Sequence, residues 1–475
     1  MAIRVPIDRA VSVTVTRADR FPTTSGFNTA FLLVKDAVAG KLDATKRTRL
    51  YSNMDDVALD WAFTTEPYKA ANRFFSARVR PPQMKMGYRN PANPIGVELD
   101  LIWAADPDWY WGLHTVELND TPDQRAIADW AETHKVLFGL DSNDPDTELS
   151  ADVNDATSTV TITIASPGVV SWAAHGLVAG DAVRFATTGS LPTGLVAGTT
   201  YYVVSPTTNA FSVAATPGGS AIATTGTQSG THTATAPKFG GSIAEYVEDR
   251  NYDRSPVFYH TDPASYLAAG AWGYTAGRNF DRSNYREAIR GRIDSGQAYT
   301  LKLKTLPGVV AVNKPSAVIQ AISGFVPGLG IDPAQGHRAN TYISLGGIDM
   351  LVEGTVGSGA FIDEIHAADW LIARTQESVL GVLANNARVP YDNRGTGFLI
   401  EAGVNPPLRR AFAAGLIAAR DGDDGEYIPA FEVSVDDVAN IPTAQRRNRI
   451  APDIKARFTY AGAIHFVSVS MTMQF

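Results

Sequence analysis

The chain has no cysteine, which excludes disulfide bonds, thiolate metal sites and cysteine nucleophiles. A thiol-free protein also behaves alike in a reducing cytoplasm and outside a cell. No run approaches the roughly 20 apolar residues of a membrane-spanning helix, and the opening MAIRVPIDRAVSVTVTRADR lacks the apolar centre of a signal peptide. The expectation is a soluble product made in the cytoplasm. Basic excess is missing too: 41 Lys and Arg stand against 49 Asp and Glu, for a net charge of −8. Phosphate neutralisation needs a basic face, so nucleic acid is not an expected direct partner.

Signatures of catalysis are equally scarce. GTVGSGAF (354–361) ends without the Gly-Lys-Ser/Thr of a phosphate-binding loop and reads as a tight turn. There is no G-x-S-x-G or H-E-x-x-H motif, and the eight histidines are scattered, with no pair at metal-ligand spacing. His175, in WAAHGLVAGD, reads as a loop histidine. DSNDPD (141–146) and DGDDGE (421–426) depart from the calcium-binding loop: Pro145 takes a ligand position in the first, and the second lacks the distal Glu. Both read as solvated turns. No metal, cofactor or catalytic residue is expected.

Charge itself is missing from one block. Between Thr157 and Ala236 only Asp181 and Arg184 are charged. STVTITIA, VVSWA, DAVRFA, TYYVVS and AFSVAA read as short strands separated by Gly, Pro and Asn turns, so residues 156–236 are expected to be an inserted all-β sandwich.

Around the block, strand and helix patterns alternate, which argues for a partly parallel sheet. FLLVK (31–35), KVLFGLDS (135–142) and PVFYHTD (256–262) read as buried strands. Helices are expected over SNMDDVALDWAF, with Ser52 as cap, from Thr121-Pro122-Asp123-Gln124 onward, and over SIAEYVEDR and ASYLAAGAWGYTAG. Further on, YTLKLKTLPGVVAV and NTYISLGGIDMLVEG read as strands around the helix PSAVIQAISGF. A long helix FIDEIHAADWLIARTQESVLGVLANN follows, with Phe361, Ile365, Ala368, Ile372, Val379 and Leu383 as its buried stripe. VPYDNRGTG (389–397) reads as a loop, PPLRRAFAAGLIAA as a helix and IPTAQRRNRIAP (441–452) as a polar linker.

Both ends alternate with period two: Val11, Val13 and Val15 at the start, and Val467, Val469, Met471, Met473 and Phe475 at the finish. Ile464 and Phe466 are out of register, as a bulge near Phe466 would make them. The fold class is thus multidomain α/β and α+β, with mixed sheets, flanking helices, an inserted sandwich and extended terminal strand arms. Its expected parts are an N-terminal arm (1–20), a discontinuous α/β domain (21–155 and 237–297), the insert (156–236), a C-terminal α+β domain (298–452) and a C-terminal arm (453–475).

AVSVTVTRADRFPTTSGFNTAFLLVKD and TRLYSNMDDVALDWAFTTEPYKAANRFF resemble the start of contractile, myovirus-type phage tail sheath proteins. EGTVGSGAFIDEIHAADWLIARTQESVLGVLANNARVPYDNRGTG is similar to the same family's glycine turn, long helix and Val-Pro-Tyr loop, and GAIHFVSVSMTMQF to its closing strand. The insert resembles the immunoglobulin-like modules of phage structural proteins, and would face outward as a decoration. The resemblance implies a virion protein assembled in the host cytoplasm, forming stacked rings or a helical tube of many copies. Its partners would be the inner tail tube, baseplate and tail terminator proteins, without membrane insertion. It also implies strand exchange between neighbouring subunits through Val11, Val13, Val15, Ile464, Phe466, Val467, Val469, Met471 and Met473. Separately, RRNR (Arg446, Arg447, Arg449) and the acidic Asp421, Asp423 and Asp424 are candidates for charge contacts between subunits. A secreted adhesin, or a glycan-active enzyme with a binding module, are the competing readings.

Overall fold

The computed structural model describes residues 26–149, 156–177, 179–216, 218–236, 242–282, 298–326, 330–331, 336–421 and 427–467. These divide into two compact units. One comprises the described parts of Gly26–Arg282, Ser295–Asp369 and Gly462–Phe475, the other Trp370–Ala461.

The first unit begins with a five-stranded sheet of order β2-β3-β1-β4-β5: β1 (Thr29–Val34), β2 (Thr48–Tyr51), β3 (Gln83–Tyr88), β4 (Trp111–His114) and β5 (Leu137–Phe138). All its pairings are parallel except β2 with β3, as the strand–helix alternation predicts. β1 is TAFLLV, buried at all six positions, the mark of a central parallel strand covered on both faces. The expected single strand over 135–142 is in fact two. After Gly139 the chain leaves the first sheet and becomes β6 (Leu140–Ser142), which pairs in parallel with β13 (Val257–Tyr259). Phe31, Leu99, Ile102, Trp109, Ile127, Phe138, Val257 and Ile343 belong to one core shared by both sheets.

Helix Pro122–Glu132 starts at Thr121 as expected, although the Thr121 side chain does not cap it. The helix expected at 52–63 is a single turn, Met54–Ala58, capped by Asn53 and not Ser52: the Asn53 side chain accepts from the Asp56 N–H. Helices Ile243–Asp249 and Leu267–Ala276 lie where their patterns place them.

The uncharged block is β-rich but is not a two-sheet sandwich. Its strands are β7 (Ala156–Ile162), β8 (Val170–Ser171), β9 (Ala182–Thr187), β10 (Thr200–Val204), β11 (Ala210–Ala214) and β12 (His232–Ala236). They form a closed barrel of order β10-β11-β8-β7-β12-β9. The sixth strand, HTATA, is not among the five expected; it bonds to β7 on one side and β9 on the other. Closure removes the free sheet edges a sandwich would keep. The interior is apolar, with Val160, Ile162, Val183, Phe185, Val203, Phe211 and Ala234 in a core of its own. Entry and exit coincide, because Ala156 is the register partner of Ala236. One buried ion pair, Arg250 with Asp181 at 3.3 Å, ties the barrel to the end of helix Ile243–Asp249.

The second sheet has order β17-β16-β13-β6. A two-stranded ribbon, β14 (Phe325–Val326) with β15 (Gly330–Ile331), precedes β16 (Asn340–Leu345) and β17 (Ile348–Val352) in the chain. β16 and β17 form a hairpin turned by Gly346 and Gly347, both at positive φ (60° and 83°), the backbone of a type I′ turn. Residues 299–312 are not a strand: Leu303 and Gly308 have positive φ, and Pro307 intervenes. Two fragments still run beside the sheet, with the Leu303 N–H donating to the Leu351 carbonyl (2.8 Å) and that of Val312 to Tyr342 (2.7 Å).

The long helix is Ile362–Asn385, but its buried stripe is rotated from the expected one. Ile362, His366, Asp369, Trp370, Arg374 and Val382 are buried, whereas Ile372, Leu380 and Leu383 are 45%, 52% and 50% exposed. In the second unit the expected 389–397 loop is half helix. Asn393–Leu399, a π turn Ile400–Val404 and Asn405–Ala414 follow without a break. Pro406 and Pro407 open the last segment and remove backbone donors, which accounts for the wider turn before them. Gly395 sits where a Cβ would fall 1.8 Å from the Pro390 carbonyl oxygen, so the Pro390 and Gly395 of the sheath-like motif fit each other. The remaining strands pair as two ribbons: β18 (Arg420–Asp421) with β19 (Tyr427–Ile428), and β20 (Phe431–Val435) with β21 (Ile454–Phe458). The polar linker at 441–452 contains one helical turn, Thr443–Arg447.

Candidate functional site

Two kinds of place could carry function: buried clusters of polar side chains, and backbone left open to a partner. The densest cluster lies where the first turns of the long helix meet the first sheet. Asp369 accepts from the Tyr110 hydroxyl at 2.6 Å and from both terminal nitrogens of Arg254, Nη2 at 3.0 Å. One turn earlier, His366 Nδ1 lies 2.9 Å from the Tyr299 hydroxyl, among the rings of Phe27, Tyr110, Trp111 and Phe280. Burial pushes the Tyr110 hydroxyl well above its ordinary range, with Asp369 adding to the effect. Burial works against the charge of Arg254, yet bonding to Asp369 raises its pKa. This arrangement is a charge-neutralised anchor between the long helix and the first sheet.

A second buried set joins β4 to β6. Gln124 Nε2 donates to His114 Nε2 (3.0 Å) and to the Asp141 carbonyl (2.7 Å), and Gln124 Oε1 accepts from the Asp120 N–H (3.0 Å). Gln124 was legible only as a capping residue; its amide is instead spent inside the core. A third is the buried ion pair of Lys302 with Glu353. Among the described residues no group of three or more His, Asp or Glu side chains could hold a metal ion. A cavity of about 490 Å³ in the second unit is lined by Arg374, Glu377, Val382, Phe398 and Arg410 among others; Arg374 is already paired with Glu377 at 2.8 Å.

Among the described residues, open backbone is found at β20–β21. This sheet has two strands, in the register Phe431↔Phe458, Glu432↔Arg457, Val433↔Ala456, Ser434↔Lys455 and Val435↔Ile454. The alternation gives one apolar face and one polar face bearing opposite charges. Among the described residues neither face is fully covered, and Phe458 is 39% exposed. A two-stranded ribbon is marginal by itself, and its outer edges are templates for further strands. Sequence reasoning missed β20 altogether, although FEVSV alternates; β21 opens the segment expected to be an arm and pairs within its own chain.

The residues expected to exchange strands divide unevenly. Ile464, Phe466 and Val467 are 82%, 54% and 70% exposed and lie outside any strand. Val11, Val13, Val15, Val469, Met471 and Met473 lie outside the described residues, as do Asp423 and Asp424. Arg446 and Arg447 close the Thr443–Arg447 turn, with Arg449 just beyond, all exposed; Asp421 ends β18.

Residues 362–473, which contain the β20–β21 ribbon and the whole long helix, match the family described as E217 tail sheath protein gp31-like, C-terminal domain. Over those residues the chain resembles a contractile tail sheath C-terminal domain. The sheath resemblance of the long-helix motif therefore holds over the match. No curated protein matches the chain. Among solved structures the chain is similar to the anti-feeding prophage (AFP) helical sheath in its contracted state, at 12% identity and a TM-score of 0.47, covering 100% of this chain and 98% of that one. It is also similar to chains of the AFP baseplate. In the six-fold symmetrised form the identity is 11% and the TM-score 0.47, over 98% of this chain and 99% of that one. In the contracted form the identity is 11% and the TM-score 0.47, over 99% of each. Similarity of that degree says nothing about what the chain does.

Proposed function

We propose that the chain is the structural subunit of a contractile phage tail sheath, polymerising around an inner tail tube through exchanged terminal strands. Contraction during infection then drives the tube into the host envelope. The observation that carries this reading is the β20–β21 ribbon inside the sheath-type domain. Among the described residues it is a two-stranded sheet with an incompletely covered apolar face, followed in the chain by Ile464, Phe466 and Val467, which lie outside any strand. An arm added to either edge gains about 0.5–1.5 kcal/mol net per backbone hydrogen bond, against about 1–2 kcal/mol per residue ordered. Pairing therefore depends on burying the arm's apolar side chains as well.

In this reading the subunit has no catalytic role and requires no cofactor. Its partners are further copies of itself, the tube, the baseplate and the tail terminator. Nucleic acid is not a direct partner, and the protein does not insert into a membrane; no helix among the described residues is long and apolar enough to cross one. It works in the virion after assembly in the host cytoplasm. The five-part organisation expected from the sequence belongs to the same proposal, as does pairing of Arg446, Arg447 and Arg449 with Asp421, Asp423 and Asp424 between subunits.

Electron microscopy of the purified protein should show tubes. Deleting residues 1–16 or 464–475 should abolish them while circular dichroism of the body is unchanged. Truncated protein that still builds tubes of normal length would refute strand exchange. Reversing the three arginines should alter the salt dependence of contraction, and an unchanged dependence removes the charge-pairing element.

A further inference from the structure

Near the end of the described chain, the His465 side chain touches the subunit's own body. His465 Nε2 lies 3.0 Å from Thr300 Oγ1, and its ring meets Phe361 edge-on at 4.8 Å between centroids. Its neighbours Ile464, Phe466 and Val467 are all exposed. Among the described residues, the imidazole is thus an anchor for an otherwise exposed segment. Thr300 Oγ1 also receives the Lys302 N–H at 3.4 Å, which leaves the hydroxyl proton to be donated to His465. That arrangement suits an imidazole whose Nε2 carries no proton. The charged groups facing the ring are Lys302, itself paired with Glu353, and Lys304. Half-burial, then these two ammonium groups, hold the His465 pKa below its ordinary value. The other group in contact, Phe361, is uncharged.

We propose that His465 is a pH-sensitive pin: neutral, it latches residues 462–467 to the subunit's own body; protonated beside Lys302 and Lys304, it lets them go. The docked pKa lies below that of a free histidine, so docking is strongest above about pH 6.5 and weakens as pH falls through the docked value. The contact that forms the pin is the placement of His465 against Thr300 and Phe361. Its consequence, that an unlatched C-terminal arm becomes available to a neighbouring copy, rests on the sheath reading above.

Because the chain has no cysteine, Val467→Cys provides a single attachment point for a nitroxide spin label on the full-length protein. At pH 8 the label should show a slow-motion component that disappears as the pH is lowered to 5. His465→Gln, which keeps a hydrogen-bonding side chain but cannot be protonated, should retain that component down to pH 5. His465→Ala should lack it throughout, and Lys304→Gln should blunt the pH response. A spectrum that does not change between pH 8 and 5, or a His465→Gln protein that still releases the label in acid, overturns the proposal. The measurement is made on dispersed subunits, so it succeeds or fails whether or not the protein forms tubes.

Discussion

Replacing His114 or Asp141 one at a time should uncover two opposing acid–base effects that offset each other in the native protein. Gln124 Nε2 is a donor, so the His114 Nε2 facing it at 3.0 Å accepts. The ring proton then sits on Nδ1, 3.0 Å from the Thr115 carbonyl, and the imidazole is neutral. Burial holds its pKa down to about 4, from an ordinary 6.5. Burial likewise raises Asp141 from 3.8 to about 7, against the Ala268 N–H and the charge of Arg73, with Asp120 adding to the rise. For His114 the folded value lies below the unfolded one, so its stabilisation is complete above pH 6.5 and falls by about 3 kcal/mol towards pH 4. For Asp141 the order is reversed. Its contribution is complete below pH 3.8 and falls by about 4 kcal/mol as the pH rises through 7.

Over pH 4–6.5 the two slopes have opposite sign and nearly equal size. Relative to wild type, Asp141→Asn should therefore gain stability with rising pH, and His114→Gln should lose it. The double variant should follow the wild-type profile. Hydrogen exchange of peptides covering β4 and β6, compared between variant and wild type at each pH, reads the difference directly. Protection ratios should move roughly 10³-fold for Asp141→Asn between pH 4 and 7. Ratios that stay constant, or that drift in the same direction for both single variants, would refute the assignment of a neutral His114 beside a destabilised Asp141.

Excising the barrel by joining Asp155 to Pro237 through a short flexible linker should leave a folded host, because Ala156 and Ala236 are already paired. The expected cost is the lost partner of Arg250, and an unfolded product by circular dichroism refutes separate cores. Asp369→Ala strands Arg254 and the Tyr110 hydroxyl and should cost about 3–5 kcal/mol in urea unfolding; a loss under about 1 kcal/mol would mean the anchor contributes little. Gly395→Ala forces its Cβ onto the Pro390 carbonyl and should destabilise the second unit by about 1–3 kcal/mol, so an unshifted melting temperature contradicts the packing described.

The α/β alternation was readable because its signals are local. Buried runs such as FLLVK and the Thr-Pro-Asp-Gln start at Thr121 need no knowledge of the rest of the chain. The errors arose where tertiary partners override local pattern. The long helix shows this most clearly. Its buried face carries His366, Asp369 and Arg374 because Tyr299, Arg254 and Glu377 satisfy them, so hydrophobic periodicity selected a face rotated from the real one. The barrel's last strand, HTATA, is too polar to announce itself and is fixed only by β7 and β9. Leu303 and Gly308 break an apparently good strand through backbone angles that composition does not reveal. As for function, the motif around the long helix carried the family, while the β20–β21 ribbon went unseen: a five-residue alternation is common, and its open edges exist only once the pairing is known.

The adjacency of Ala156 and Ala236 also bears on how quickly the host can fold. β6 and β13 are parallel neighbours whose paired residues Leu140 and Val257 are 117 positions apart, and the 81-residue barrel lies between them. Once the barrel has folded, its two ends are a strand pair apart, and the chain that must be closed is shortened to about a third. Logarithmic loop closure makes that worth roughly 1 kcal/mol, or about a five-fold faster meeting of the two strands. A barrel that folds first therefore acts on its host as a splint. A variant whose barrel core is broken, for instance by Phe185→Asp, should slow formation of the second sheet even though no residue of that sheet has changed.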